Sequence, residues 1–228
     1  MARFIRGGKR SVYPMLCNDH FMAHDSILMA IQKDRKNIEW LCVADPGSAS
    51  VFAVLFAAFD HESKKLYLLD ELYAETLAET SVGQVMPQII RKRRDLAKGA
   101  EWVNTYDEAA AWFLNEVCEQ FPDEIWGPTK KSQRKPEDQL SKIKDLMLKK
   151  RFFVSDRCKK WKWEAYNYIL DDKGKLPKNH NHLMDCTRYL SDHVQPLAPD
   201  EIEEVEENDG RPGIPLRHAR KFIAGADR

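Results

Sequence analysis

Three aspartates and one histidine have the types and the spacing to bind divalent metal ions. Asp45 directly follows one apolar β-type run, and Asp107 directly follows another. Asp185 lies near the C-terminus, with His182 about one helical turn before it and Arg188 one turn after it. Mg²⁺ prefers carboxylate ligands, and two such ions about 4 Å apart can activate a water and stabilise the leaving oxygen of a phosphodiester. The pattern therefore indicates two-metal cleavage of a phosphodiester.

Ordinary structural roles compete with this interpretation. Asp107 precedes the run Glu108–Ala111, where it could be a helix N-cap, and a single aspartate is more often a cap or a turn residue than a ligand. His182 alone would be a surface or capping residue, but its place one turn before an acid favours the metal site. Glu71 follows a third β-type run and is a reserve ligand, although it could instead be a charge at the rim of the sheet.

Four apolar β-type runs must bring the acids to a common point. The first three are joined by short polar segments, which predicts an antiparallel meander. Sites in α/β sheets lie beyond the carboxyl ends of neighbouring strands, so Asp45 and Asp107 meet if the fourth strand lies beside the first. The strands are predicted at Trp40–Ala44, Val51–Phe59, Leu66–Leu69 and Trp102–Tyr106, with shorter ones at 125–126 and 152–154.

Apolar spacing predicts helices between and after these strands, and the last helix carries His182 and Asp185. The helices are expected at 80–97, 108–120, 136–150, 161–170 and 182–193. This order predicts an α/β fold with a mixed sheet, in which a three-strand antiparallel meander is extended by parallel strands and flanked by helices. Residues 1–38 are expected to form an N-terminal linker or appendage, 39–194 the main domain, and 195–228 a mobile charged tail.

The bulk composition sets loose limits on the environment and the partners. The chain has 228 residues and a net charge of zero, because 36 Lys and Arg balance 36 Asp and Glu. Only the distribution of charge can therefore indicate a polyanionic partner. The five cysteines form no C-x-x-C pair, which is typical of a reducing cytosol. No apolar run approaches the roughly 20 residues of a membrane span, so no membrane partner is expected.

Basic residues are concentrated between Lys130 and Lys162. Basic side chains on a predicted helix, such as Lys142, Lys144 and Lys149, could simply be a solvated helix face. A basic run in a loop is harder to explain in that way and favours binding to DNA phosphates. The predicted DNA-binding residues are the loop residues Lys130, Lys131, Arg134 and Lys135.

Several of these features occur together in the same order as in one known family. The strand ending in Asp45-Pro46-Gly47 is followed by a hairpin that ends in Glu71, by Asp107, by a Lys-rich stretch, and by the closing pattern His182-x-x-Asp185-x-x-Arg188-Tyr189. From about residue 39 to 193 the chain resembles the nuclease domain of the large terminase subunit of tailed bacteriophages and herpesviruses. That domain belongs to the ribonuclease H-like, or retroviral-integrase-like, superfamily.

The resemblance implies a metal-dependent endonuclease that cuts concatemeric viral DNA during genome packaging in the host cytoplasm. Asp45, Asp107 and Asp185 would hold two Mg²⁺ or Mn²⁺ ions, and His182 would be a catalytic residue beside them. The implied partners are double-stranded DNA, the packaging ATPase domain, the small terminase subunit and the portal. The sequence contains no G-x-x-x-x-G-K-[ST] motif, so we expect the ATPase to lie on a separate domain or gene product.

Two other functions are compatible with the same sequence. The first is a junction-resolvase or transposase-like nuclease of the same fold. The second is a non-catalytic module that binds DNA or docks to the portal. Dependence of DNA nicking on Mn²⁺ or Mg²⁺ separates the enzymes from the module, and preference for branched over linear DNA separates the two enzymes.

Overall fold

The computed structural model describes residues 10–32, 35–47, 51–75, 81–130, 133–177 and 181–194, which all lie in the compact unit Met1–Leu197. Along these residues the chain forms one sheet of seven strands, flanked by six α-helices. The strands are β1 (Phe21–Met22), β2 (Ile38–Pro46), β3 (Phe52–Asp60), β4 (Lys65–Ala74), β5 (Trp102–Tyr106), β6 (Gly127–Pro128) and β7 (Phe152–Ser155). The helices are α1 (His24–Gln32), α2 (Val82–Leu96), α3 (Ala111–Gln120), α4 (Pro136–Leu148), α5 (Lys159–Asn167) and α6 (His182–Leu190).

The centre of the sheet is the predicted antiparallel meander. The strand order is β1-β7-β4-β3-β2-β5-β6, with β3 paired antiparallel to both β2 and β4. Every residue of β3 is buried, because helices cover both faces of the sheet. A strand buried on both faces reads as a continuous apolar run instead of an alternating one, which is the pattern of Phe52–Phe59. The predicted α/β fold with a mixed sheet is confirmed.

Parallel strands extend the meander on both sides. β5 pairs parallel with β2, so that Tyr106 lies opposite Ala44, and the Asp107 backbone N–H donates to the Ala44 carbonyl at 3.0 Å. This pairing confirms that the predicted fourth strand lies beside the first. On the other side, β7 pairs parallel with β4, and β1 pairs parallel with β7. Asp45 and Asp107 therefore lie at the same edge of the sheet.

The outer strand β6 does not lie at residues 125–126, where the sequence predicted it, but at Gly127–Pro128. The apolar residues Ile125 and Trp126 have roles other than strand formation. Trp126 is buried in the core, with its ring centroid 5.1 Å from that of Phe113 in α3, whereas Ile125 is 83% exposed.

The two faces of the sheet carry separate cores. Leu41 and Val43 of β2 face the core formed with α4, α5 and α6. The alternate residues Trp40, Cys42 and Ala44 face the core formed with α1, α2 and α3. Successive strand residues point to opposite faces.

Residues 10–32, which the sequence placed in an N-terminal appendage, pack onto these cores. Val12 and Tyr13 are buried among residues of α4 to α6, and the Val12 N–H donates to the Tyr168 carbonyl at 2.9 Å. Ile27 and Ile31 of α1 are buried on the opposite face. The tie to the sheet is a two-residue strand, which is too short to show an alternating pattern. None of the described helices is long and apolar enough to cross a membrane.

Candidate active site

The alternation of residues along β2 and β5 directs the predicted acids to one face of the sheet. Asp45 lies two residues after Val43 and four after Leu41, so it points to the same face of the sheet as these residues, which face the core beneath α6. In the parallel pairing, Thr105 of β5 lies opposite Val43. Asp107, two residues further on, therefore follows the same face as Asp45. Helix α6 packs on β2 and β3 on this side, so the three aspartates converge where α6 crosses the strand ends.

Helix α6 contacts all three acids through side chains on neighbouring turns. His182 Nδ1 lies 2.7 Å from Asp45 Oδ2. The Tyr189 hydroxyl donates to Asp107 Oδ2 at 2.9 Å, while Asp107 Oδ1 accepts the Ala109 N–H at 2.9 Å. Asp107 thus shapes the turn before α3 and also faces α6, whereas the N-cap of α3 is Ala110 and not Asp107.

Asp185 is held within its own helix. Arg188 Nη2 donates to Asp185 Oδ1 at 2.8 Å, and Asn181 Nδ2 donates to Oδ2 at 2.8 Å. Burial raises the pKa of Asp185 above its ordinary value, Arg188 opposes that rise, and the negative charges of Asp45 and Asp107 add to it. The three carboxylates therefore repel one another electrostatically, and a cation placed among them would relieve that repulsion.

Arg188 supplies a positive charge beside these acids. Its side chain is only 10% exposed, and Nη1 donates to Gln139 Oε1 of α4 at 3.2 Å. Its guanidinium carbon also lies 5.0 Å from the centroid of the Tyr189 ring. A buried arginine beside buried acids neutralises part of their charge.

His182 is coupled to Asp45 electrostatically as well as by geometry. The hydrogen bond to Asp45 raises the pKa of His182, and burial opposes the rise. The ring meets Tyr73 of β4 edge to face, with centroids 6.5 Å apart. His182 is therefore held in a fixed orientation at the start of α6.

The predicted basic loop begins beside Asp107. The Thr129 N–H donates to the Tyr106 carbonyl at 2.8 Å, which ties the loop to the end of β5. Lys130 and Lys135 are exposed, and Arg134 pairs with Asp192 at 2.9 Å. The fourth predicted DNA-binding residue, Lys131, lies outside the described residues.

Comparison with known proteins tests the fold. No family model and no curated protein matches the sequence. Among solved structures, the large terminase of a thermophilic bacteriophage aligns with a TM-score of 0.65 and 16% identity, over 81% of this chain and 45% of that one. The nuclease domain of the P22 large terminase aligns with a TM-score of 0.59 and 15% identity, over 86% of this chain and 100% of that one. The chain has the fold of a terminase nuclease domain.

A third structure with this fold contains a metal. The nuclease domain of the bacteriophage SPP1 large terminase, solved with bound Mn, aligns with a TM-score of 0.55 and 17% identity, over 77% of this chain and 97% of that one. The present chain spans less than half the length of the first of these terminases and nearly the whole of the isolated nuclease domains.

Glu71, the reserve ligand, has a structural partner in this terminase nuclease fold. Its Oε1 accepts the Lys160 N–H at 2.6 Å, and Oε2 accepts the Trp161 N–H at 2.8 Å. Both carboxylate oxygens therefore satisfy backbone donors at the start of α5, where a negative charge is favoured. The structure brings Asp45, Asp107, Asp185 and His182 to α6, and it attaches Glu71 to α5.

Sequence reasoning missed Glu164, a fully buried acid beside the site. Its Oε2 accepts the backbone N–H groups of Leu183 and Met184 at 2.8 and 3.3 Å, so it caps the first turn of α6. Burial raises the pKa of Glu164, and the nearby Tyr73 hydroxyl and the two N–H groups oppose the rise. The sequence contained a signal of this burial, because Glu164 lies three residues after Trp161 and therefore on the same, buried face of α5.

The donor set fits hard divalent cations, because carboxylate oxygens dominate it. Within the described ranges, no group of three or more His, Cys, Asp and Glu side chains is already arranged to hold a metal ion. The oxygens are instead hydrogen-bonded to His182, Arg188, Asn181 and Tyr189. The site therefore has the right chemistry for metal ions, but these side-chain contacts would have to rearrange when ions bind.

Proposed function

We propose that this chain is a metal-dependent DNA endonuclease that cuts concatemeric viral DNA during genome packaging. The observation that carries the proposal is the convergence of Asp45, Asp107 and Asp185 on one helix, at the strand-end edge of a terminase nuclease fold.

Asp45, Asp107 and Asp185 would hold two Mg²⁺ or Mn²⁺ ions, with Glu71 in reserve. When bound, such ions activate a water and stabilise the leaving oxygen of the phosphodiester. The manganese in the SPP1 nuclease domain supports the choice of metal. The mutual repulsion of the three acids supports their assignment as ligands, because it is a cost that cations relieve.

The remaining site residues orient the acids and hold charge. His182 would act as a catalytic residue beside the ions. Its hydrogen bond would also fix the direction of the Asp45 carboxylate. Arg188 and Asn181 fix both oxygens of Asp185. Preorganised groups of this kind raise rates when they match the charge of the reacting state.

The substrate would be double-stranded DNA, contacted by Lys130, Lys131, Arg134 and Lys135. The attachment of this loop next to Asp107 supports that role, because it places basic side chains within reach of a strand that lies over the acids. The proposed partners in packaging are an ATPase domain, the small terminase subunit and the portal. This assignment rests on the similarity to large terminases.

One observation favours a non-catalytic DNA-binding or portal-docking module instead. Side chains of the protein already contact the three carboxylates, and the described residues contain no ready metal cluster. A nicking assay on supercoiled plasmid decides between the two functions. The endonuclease should nick with Mn²⁺ or Mg²⁺ and stop when EDTA is added.

Asp45→Asn is the decisive variant, because a carboxamide lacks the charge that neutralises a metal ion. Nicking should fall by about a hundredfold or more, as expected when a charged catalytic group is lost. Asp95→Asn is a matched control, since Asp95 is an exposed acid of α2, and it should nick like the wild type. Equal nicking by folded Asp45→Asn protein would refute the metal site. Branched and linear substrates compared side by side distinguish a resolvase from a packaging nuclease.

A further inference from the structure

A small polar cavity of about 140 Å³ lies next to the proposed active site. It opens beside the loop that follows β6, on the α6 face of the sheet. The ring of Tyr189 forms one wall, and the hydroxyl of the same residue donates to Asp107. The side chain of Tyr189 therefore connects the cavity to a proposed metal ligand. The walls include Thr105, Lys130, Arg134, Tyr189, Asp192 and His193.

Positive charge exceeds negative charge around this cavity. Arg134 and Lys130 both line it, and Asp192 is the one acid among its described lining residues. Asp192 lies 2.9 Å from Nη1 of Arg134, which fixes the arginine while its other N–H groups can serve a second acceptor. Lys142 lies nearby: its Nζ donates to the Ser191 carbonyl at 3.1 Å, and burial and the positive charge of Arg134 lower its pKa.

The size and polarity of the cavity restrict what it can bind. Sites for small organic ligands usually measure about 300–1,000 Å³, so this cavity is too small for a whole nucleotide and suits one oxyanion group. Thr105 supplies a further donor. Its Oγ1 is buried and has no hydrogen-bond partner among the described residues, a state that costs free energy until an acceptor arrives.

We propose that this cavity binds one backbone phosphate of the DNA strand, close to the phosphate that the active site would cut. The inference rests on the proposed nuclease function and adds a defined subsite to it. Arg134 and Lys130 would pair with the phosphate oxygens, and the Thr105 hydroxyl would donate to one of them. Such a subsite would fix how the strand lies across Asp107, because phosphate contacts set the position of a nucleic acid without reading its sequence.

The test uses short DNA duplexes in which one phosphate at a time is replaced by an uncharged methylphosphonate. Binding is measured without metal, so that no cutting is needed. For the wild type, one position should stand out, with a loss of about tenfold in affinity when its charge is removed. In the double variant Lys130→Ala/Arg134→Ala, the same replacement should cause no further loss. This coupling identifies the phosphate that occupies the cavity.

Two further variants separate a subsite from general attraction to DNA. Thr105→Val keeps the shape of the side chain and removes the hydroxyl. It should weaken DNA binding by roughly fivefold, and this loss should be coupled only to the methylphosphonate at the same DNA position. Arg94→Ala/Lys98→Ala removes two charges from the end of α2 and its following turn. It should leave the coupling intact. The salt dependence of wild-type binding should exceed that of Lys130→Ala/Arg134→Ala by a slope of about 0.9, the value for one neutralised phosphate.

The results distinguish failure of the subsite from failure of the nuclease. Position-specific coupling in a protein that never nicks DNA would support the subsite and reject the enzyme. The opposite result would be metal-dependent nicking in which each methylphosphonate lowers the DNA affinity of the wild type and of the double variant equally. That result would reject the subsite and leave the enzyme.

Discussion

The Nδ1 atom of His182 lies 2.7 Å from Oδ2 of Asp45, although the two residues are 137 positions apart in the chain. This contact joins the start of α6 to the carboxyl end of β2. It also raises the pKa of His182, since Asp45 favours the charged imidazolium. The stability of the metal-free protein should therefore depend on pH through this pair.

The sign of that dependence follows from the raised pKa of His182. The pair stabilises the fold fully below the unfolded pKa of about 6.5. It loses its effect as pH rises through the higher folded pKa. Urea unfolding in EDTA should show a wild-type advantage over His182→Gln that shrinks from neutral to alkaline pH. Asp45→Asn should remove the same dependence, and an advantage that stays constant with pH would contradict the charged pair.

Replacement of Arg188 by methionine should destabilise the metal-free protein by about 3 kcal/mol, because Asp185 loses its buried counter-charge. Added Mn²⁺ should recover part of that loss, since the ion supplies the missing positive charge. Thermal unfolding with and without Mn²⁺ measures both effects. Arg94→Met is the matched control: Arg94 is 65% exposed, and its removal should change stability by less than about 0.5 kcal/mol. A metal response equal in both variants would argue against Asp185 as a ligand.

Glu164 should matter through the helix that it caps. Glu164→Ala leaves the Leu183 and Met184 N–H groups without a buried acceptor, and about 3 kcal/mol of stability should be lost. Glu164→Gln keeps an acceptor oxygen and should lose less than half as much. Hydrogen exchange at these two amides should accelerate in Glu164→Ala and stay slow in Glu101→Ala, a control at an exposed loop residue. Unchanged exchange in Glu164→Ala would show that the cap is unimportant.

Metal binding without DNA should be weak, with a dissociation constant of about a millimolar. Mg²⁺ and Mn²⁺ keep several waters in sites with few protein ligands, and here the carboxylates are already hydrogen-bonded within the protein. Calorimetric titration of Mn²⁺ into the protein is the direct measurement. Adding duplex DNA should tighten binding, because phosphate oxygens complete the coordination. Submicromolar binding without DNA would mean that the site is preformed.

Much of the fold could be predicted because single strands carried clear patterns. The apolar run before Asp107 predicted β5 at Trp102–Tyr106, as the structure has it. The meander followed from short polar connections between β-type runs. Asp45 and Asp107 could be paired because the carboxyl ends of parallel strands share one edge.

The parts that were missed depend on contacts between distant segments. The placement of residues 10–32 depends on a two-residue strand that pairs with β7, more than 130 positions away. Glu164 was not among the predicted site residues, because its partners lie on a different helix. Glu71 stays a reserve ligand, but its role at the start of α5 was not foreseen, because that start could not be located from spacing alone. Tertiary contacts decided each of these roles.

Because His182 and Tyr189 lie on the same helix, a movement of α6 would change their contacts with Asp45 and Asp107 at the same time. A small rotation about the helix axis would release both acids together, whereas Asp185 would move with its partner Arg188. Ion loading would then be concerted, and a titration would rise sigmoidally instead of in two separate steps. A partner that turned α6 from its C-terminal end could free Asp45 and Asp107 without approaching either acid.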